Sequence, residues 1–482
     1  MTNETGKSGF FVEGSIQWWL FAVILAGIFF RLYNISNSSL WTDEFSTLWA
    51  SSAPTLSETV ERAKLTQGIH PLYFIVQRAV LSFLPVNEAS LRGLSCAASI
   101  LSVFLIFWLG KLIFRDNVKA LLASAIFAIH ANSIYYAQEA RPYSIGIMFA
   151  LFSQIFFLRL FVKFRAVDAA VYFAVSALSV FFHYVFLAVF LCQNIYLLLT
   201  WYLGLRKIRL TETIPPLKKW FVLQALCALT LCAAFKHISG MLGGRHAWNW
   251  LKDMDFLQVS ELFFSMFDLK ILAVMGVVFV IFYAIERFKP AEAVKRLGAN
   301  ELVFLFIWLF STPVFLFIIS KALGVSFFDQ RYMLLSMPAL YLILANFLDI
   351  FRSDVIRTAF PGIYLIVYLG YVSVPSFMDT GAFCRRIPHN WRDAIGHIQD
   401  NFMPEDAILL RYGDVKENWI PSTKNPIILD YPRAPFHSFY LEKTSKDDGL
   451  PEIYSLTYTW DENFYPYYKK IFGELIKKKR VW

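Results

Sequence analysis

The stretch "HPLYFIVQRAVLSFLP", residues 70 to 85, decides how the chain is threaded. It is apolar enough to pass for a membrane span. Yet it is short, has proline at both ends and carries Arg78 in its middle. A spanning helix needs about 20 residues, within a range of roughly 17 to 25. A charge at mid-bilayer costs roughly 2.5 to 3.5 kcal/mol on insertion scales. We therefore read 70–84 as an interfacial or re-entrant helix.

Working outward, the other apolar runs lie near 16–33, 89–110, 119–136, 143–161, 168–183, 185–203, 219–235, 259–285, 300–319, 332–348 and 358–374. If 70–84 does not cross and the N-terminus is cytoplasmic, "KLIFRDNVK", "KFR", "RKIRLTETIPPLKK", "ERFKPAEAVKRLG" and "FRSDVIR" all fall on the cytoplasmic side. If it crosses, the clusters after it land outside. The positive-inside rule selects the first map. That map predicts a polytopic α-helical membrane protein of about eleven spans. Residues 1–15 are then cytoplasmic, 16–374 form the transmembrane domain, 34–88 form its first outer loop, and 375–482 form an extracytoplasmic tail. Merging 168–183 with 185–203 across His183 and Tyr184 would change the parity.

Composition agrees. Of 482 residues, 57% are hydrophobic and 17% charged, with 49 Phe and a mean hydropathy of +0.50. An ordinary soluble domain carries about 25% charged residues. The net charge of +9 sits mostly in short clusters between apolar runs, which argues against nucleic acid as a partner. Cys96, Cys192, Cys227 and Cys232 lie in apolar runs and read as small packing residues, while Cys384 is alone in the tail. The N-terminus lacks the basic region and cleavage site of a signal peptide, so the first run is expected to stay as a span.

The tail reads as a small α/β appendage. "WRDAIGHIQDNF" has the pattern of an amphipathic helix, "AILLRY" and "PIILDY" look like short strands, and "ENFYPYYKKIFGELIKKK" looks like a terminal helix. No Gly-rich phosphate loop, dinucleotide fingerprint or zinc-protease motif occurs.

The charge map gathers four polar features on the outer face: Asp43–Glu44 in "WTDEF", His70 in "QGIHPLY", Glu139, Arg141 and Tyr143 in "YYAQEARPYS", and Asp329, Arg331 and Tyr332 in "FFDQRYM". Arg92 sits near the outer start of the second span. Each alone could mark a span end, with its aromatics in the interfacial belt. Together they suit one chemistry. An arginine fork holds phosphate bidentately, and a carboxylate takes a proton from an attacking hydroxyl. Adjacent residues diverge, so Asp43 and Glu44 are expected to have separate jobs: base, acceptor orientation, arginine partner or cation ligand. Hard divalent cations want oxygen ligands. Asp43, Glu44 and Glu139 would be the candidates for one, but two adjacent carboxylates are weak evidence and no cofactor is predicted.

"RLYNISNSSLWTDEF", "GIHPLYFIVQ", "LRGLSCAASILSVFLIFWLGKLIF", "YYAQEARPYSIGIMFALFS" and "QRYMLLSMPALYLILA" resemble the membrane glycosyltransferases of the GT-C fold. The branch they most resemble holds the family 39 protein O-mannosyltransferases and the bacterial aminoarabinose transferases. "HNWRDAIGHIQD" resembles the opening of the soluble tail in bacterial members. The resemblance implies an inverting enzyme that takes sugar from a polyprenyl-phosphate donor, among membrane lipids, and passes it to an extracytoplasmic hydroxyl. A bacterial plasma membrane is the implied location. Asp43 matches the acidic residue expected to activate the acceptor, and Glu44 its usual neighbour. The 70–84 segment matches a juxtamembrane helix, and Arg331 an arginine expected to face the donor phosphate, helped by Arg141 or Arg92. Glu139, Tyr143, His70 and Tyr332 complete the implied donor site. Pro142–Tyr143 replaces the Leu-Asp pair of the mannosyltransferases, so their acceptor habits are not carried over. The outer loop 236–258, with Arg245, His246 and Trp248, reads either as a cover over the site or as a plain connector. Two other classes share parts of this pattern. An oligosaccharide ligase or polymerase would have the same membrane core, and a transporter would place its polar residues nearer mid-membrane.

Overall fold

In the computed structural model the described residues are 15–65, 70–208, 211, 213–243, 254–266, 268–287, 299–324, 326–383, 390–403, 405–411, 420–421, 425–431, 439–440, 452–457 and 462–482. Loop residues Arg245, His246 and Trp248, and Cys384, lie outside them.

The helices run in chain order as α1 (Ile16–Leu32), α2 (Thr42–Ser51), α3 (Leu56–Leu65), α4 (Pro71–Leu81), α5 (Glu88–Phe114), α6 (Asn117–Ile129), α7 (Ala131–Ala137), α8 (Tyr143–Val162), α9 (Ala166–Phe182) and α10 (Leu187–Leu205). They continue as α11 (Leu217–Gly243), α12 (Phe256–Ser265), α13 (Leu269–Arg287), α14 (Ala299–Leu323), α15 (Met337–Asn346), α16 (Asp354–Tyr368), α17 (Val374–Thr380) and α18 (Trp391–Asn401). Strand β1 (Ala407–Leu410), α19 (Pro426–Asp430), β2 (Glu452–Ser455) and α20 (Tyr465–Leu475) complete the described elements. Two units separate by packing. One comprises the described residues of 1–33, 95–243 and 251–386, the other those of 34–94 and 387–482.

Among the described residues seven helical segments are long and apolar enough to cross a membrane, and eight if the bent pair α6–α7 counts as one. Each of the eleven runs expected to span is helical, but α1 and α9 have 17 residues each, at the short end of the range. The helices of 168–203 stay separate, joined by the 3-10 turn Tyr184–Phe186. The run 259–285 folds as two helices instead of one, with Asp268 at a φ of 43° between them. A left-handed residue without glycine's freedom ends the helical ladder there. The last run continues from α16 through a π-turn at Leu369–Ser373 into α17, giving 27 residues.

Small residues and polar glue hold the first unit. α5 approaches α6 at Gly110, where a Cβ would meet the Ala120 Cα at 2.9 Å. A buried network ties α8 to α11: Tyr172 donates to Gln193 Oε1 (2.7 Å), Gln193 Nε2 to Ser153 (2.9 Å), and Gln224 Nε2 to Tyr172 (3.1 Å). At the 59° bend between α6 and α7, Arg31 is fully buried. Its guanidinium donates to the Ala128 (2.8 Å) and Phe127 (3.1 Å) carbonyls and to Ser99 Oγ (2.7 Å). The last carbonyls of a helix have no intrahelical partner, and a cation satisfies them. Arg31 is therefore a C-cap for α6 delivered from another helix.

In the second unit, α4 ends after 11 residues, about 16 Å at 1.5 Å per residue. That is too short to cross. Arg78 does not face hydrocarbon from mid-helix: it donates to the carbonyls of Ala53 and Pro54. β1 and β2 pair in parallel, and the C-terminus adds a third extended segment, with Trp482 N donating to the Ala407 carbonyl (2.9 Å). "PIILDY" is helical, contrary to the strand expected of it. Proline at the first helical turn is pre-organised for a helix. Asn425 caps that turn through Ile427 N (3.0 Å), which overrides the β-branched propensity.

Candidate functional site

The candidate residues fall into two groups, one in each unit. In the second unit, α2 carries Asp43 and Glu44 in its first turn. The Trp41 amide donates to Glu44 Oε2 (3.3 Å), as in a capping box. Glu44 is buried and receives Arg92 through both arms of the fork, Nε to Oε1 at 2.8 Å and Nη2 to Oε2 at 2.7 Å. Arg92 also donates to the carbonyls of Ile35 (2.6 Å), Ser38 (3.0 Å) and Ser39 (3.2 Å). A guanidinium has five N–H donors, and these five contacts use them. Arg92 thus serves Glu44 and the 35–39 turn, which leaves it no N–H for a phosphate. Asp43, one residue earlier, is half-buried on a different helix face. His70 caps α4, its Nδ1 accepting from Leu72 N (3.2 Å).

The tail residues of this unit clasp α2. Tyr431 and Ser46 share a hydrogen bond of 2.5 Å, and Trp49 Nε1 donates to Asp430 Oδ2 (3.1 Å). Trp391 packs edge-on to Phe45 with ring centroids 6.1 Å apart. Tyr440 donates to Glu88 (3.1 Å) and accepts from Leu40 N (3.1 Å). Burial pushes its phenol up to about 12. Arg392 of the Trp-Arg-Asp motif pairs with Glu88, and its Nη2 donates to the Ser36 carbonyl (2.8 Å). None of Tyr431, Asp430, Tyr440 or Arg392 was assigned a role by sequence. Their signal is a spacing of hundreds of residues, which one chain does not display.

In the first unit, "EARPY" makes the turn between α7 and α8. Glu139 and Arg141 are buried there, and the Arg141 amide donates to the Glu139 carbonyl (2.8 Å). Gln138 Nε2 anchors the turn on the carbonyls of Arg31 and Tyr33, each at 2.9 Å. Ser95 Oγ holds the Arg141 carbonyl (2.8 Å). Arg331 is the second residue of the 3-10 segment Gln330–Ser336, capped by Asp329, which accepts from the Arg331 amide (3.0 Å) and Nε (2.9 Å). Its Nη1 donates to the Tyr143 hydroxyl (3.3 Å), and its Cζ lies 5.9 Å from that ring centroid.

Arg331, Tyr143, Tyr332, Pro142, Gly146 and His183 line one pocket, with about 280 Å³ of empty space including its open side. His183 was seen in the sequence merely as a break between spans. Its ring lies 5.7 Å from Tyr143 and 5.3 Å from Tyr332. Its Nδ1 accepts from Val185 N (3.3 Å), so a neutral ring carries its proton on Nε2. The pocket is aromatic, with one guanidinium at its wall. Such a pocket can seat an anion beside an apolar chain or a sugar face. Among the described residues no three His, Cys, Asp or Glu side chains group as a metal site.

No family model matches the chain, and the search of curated proteins finds no match. Among solved structures the chain is similar to the oligosaccharyltransferase of Archaeoglobus fulgidus in three forms. Against the apo form the TM-score is 0.46 with 11% identity over 82% of this chain. Against the complex with Zn and sulfate it is 0.41 with 13% identity over 80%. Against the form tethered to an acceptor peptide containing the NVT sequon it is 0.41 with 12% identity over 81%. The chain spans 55% to 59% of the length of these proteins.

Proposed function

We propose that this chain is an inverting membrane glycosyltransferase of the GT-C type. It moves a sugar from a polyprenyl-phosphate donor to a hydroxyl acceptor on the extracytoplasmic side of a bacterial plasma membrane. The observation that carries the reading is the bidentate hold of Arg92 on Glu44, which gives that carboxylate a structural partner and fixes the first turn of α2, where Asp43 also stands. The motif resemblance and the Arg331–Tyr143–His183 pocket support it further.

In the proposed reaction the donor phosphate sits against Arg331, its isoprenoid chain beside the aromatic wall. Asp43 takes the proton of the acceptor hydroxyl. The acceptor oxygen bonds the anomeric carbon as the bond from that carbon to the phosphate oxygen breaks. The polyprenyl phosphate leaves with the added charge, which Arg331 stabilises. Fixed donors aimed at developing charge are the strongest device available in a partly dry site. A phosphate monoester needs no acid to leave. Glu44 and Arg92 hold α2, and Glu139 and Arg141 belong to the turn between α7 and α8. A divalent cation is not required by this scheme.

The test is a mass comparison of envelope lipids and glycans from a deletion strain and its parent. The expected outcome is loss of one sugar mass from an acceptor and accumulation of a polyprenyl-phosphate sugar. Identical profiles would overturn the assignment.

A further inference from the structure

Helix α20 has two apolar faces, and the second unit uses one of them. Tyr468, Ile471 and Leu475 are buried, the last two packing with Ala407 of β1. Tyr465, Phe472 and Ile476 lie at i, i+7 and i+11, which aligns them in a separate stripe. They are 64%, 38% and 84% exposed. Lys469, at i+4, lies in the same stripe and is exposed.

This exposure does not come from a frayed end. Residues 480–482 run beside β1, with Ala407 N donating to the Arg480 carbonyl (3.0 Å) and Leu409 N to the Trp482 carbonyl (2.9 Å). Lys478 pairs with Glu452 of β2 (2.6 Å), and Arg480 with Asp406 (2.6 Å). The helix is held at its C-terminal end with the stripe turned outward.

The stripe's borders are basic. Lys470, Lys477 and Lys479 are exposed around it, and Glu474 is already paired with Lys477 (3.2 Å). Single exposed apolar residues need no explanation. An aligned aromatic and aliphatic stripe rimmed by lysines has the composition of an interfacial helix, whose lysine stems lie along the acyl boundary while their ammonium groups reach headgroups. The unit is continuous in the chain with α5, which is long and apolar enough to cross a membrane, so a bilayer is within tether reach.

We infer that α20 is a membrane-surface anchor. Its Tyr465–Phe472–Ile476 stripe docks on the leaflet beside the unit, and its lysines select anionic phospholipid headgroups. The inference does not depend on the enzymatic reading. The attraction of each lysine to an anionic surface is screened by salt.

The experiment is hydrogen–deuterium exchange on the full-length protein in nanodiscs of phosphatidylcholine alone or with phosphatidylglycerol. Exchange over 462–482 should slow at least about threefold in the anionic discs, the effect expected of lysines at such a surface. Phe472→Asp/Ile476→Asp and, separately, Lys469→Glu/Lys470→Glu should abolish the difference. Exchange over 405–411 reports whether the unit is still folded. Equal exchange in the two disc types, or a difference that survives the lysine variant in a folded unit, would overturn the inference.

Discussion

Glu44 and Arg92 meet as a two-pronged ion pair of which each side chain is 1% exposed. Neither residue is near the other in sequence, and neither has solvent to fall back on. Removing one partner of a buried pair typically costs about 3 to 5 kcal/mol, because the other is left uncompensated. Arg92→Ala should therefore loosen α2 and the 35–39 turn, seen as faster hydrogen exchange over 35–51. Arg92→Lys should recover little, since an ammonium cannot reproduce the fork and three carbonyl bonds.

The tail clasp on α2 gives a milder prediction. Tyr431→Phe and Asp430→Asn each remove or weaken one hydrogen bond, worth about 1 kcal/mol. Exchange over 42–51 should rise in both variants, and exchange over 143–162 should not. If the tail were an independent appendage, the exchange of α2 would not respond.

Arg331 is predicted to act on the donor. Arg331→Ala should raise the donor KM and lower kcat, with a loss of roughly 100- to 1000-fold, the scale seen when a fixed charge-stabilising donor is removed. Arg331→Lys should fall between, keeping the charge and losing the fork. Steady-state kinetics with varied polyprenyl-phosphate sugar checks this.

The second unit should weaken in acid. Arg480 Nη2 (2.6 Å), with the Met403 amide (2.9 Å) and the Trp482 indole (3.1 Å), holds the Asp406 carboxyl well below the usual carboxylate range. A depressed folded-state value contributes stability that is complete above the unfolded value, near 3.9, and is lost as pH falls toward the folded one. Limited proteolysis of the full-length protein between about pH 6 and pH 3 should show 405–411 and 462–482 becoming sensitive at the acid end. Asp406→Asn should lower stability at neutral pH and flatten that dependence.

Much of the helical scaffold was legible because long apolar runs and basic clusters are local signals. The 70–84 segment could be denied a span from its length, its flanking prolines, Arg78 and the distribution of basic clusters after it. What local pattern did not carry was the cause of its charge: Arg78 serves the carbonyls of Ala53 and Pro54. Nor did it reveal Arg31, read in the sequence as part of a motif, as the cap of α6. "PIILDY" was misread because three aliphatic residues weigh toward a strand, while the Asn-Pro start decides for a helix. Asp43 and Glu44 could be given separate jobs from the divergence of neighbours, but that Glu44 holds Arg92 came from the fold.

Asp43 is proposed as the base and Glu44 as the structural partner of Arg92. The direct measurement is transfer from a purified polyprenyl-phosphate sugar by Asp43→Asn protein in nanodiscs, with Asp43→Glu alongside. Asp43→Asn should retain wild-type exchange over 42–51 and lose transfer by at least about 100-fold, the lower range for a general base. Asp43→Glu should keep measurable activity. Wild-type transfer by a folded Asp43→Asn protein would contradict the role proposed for Asp43.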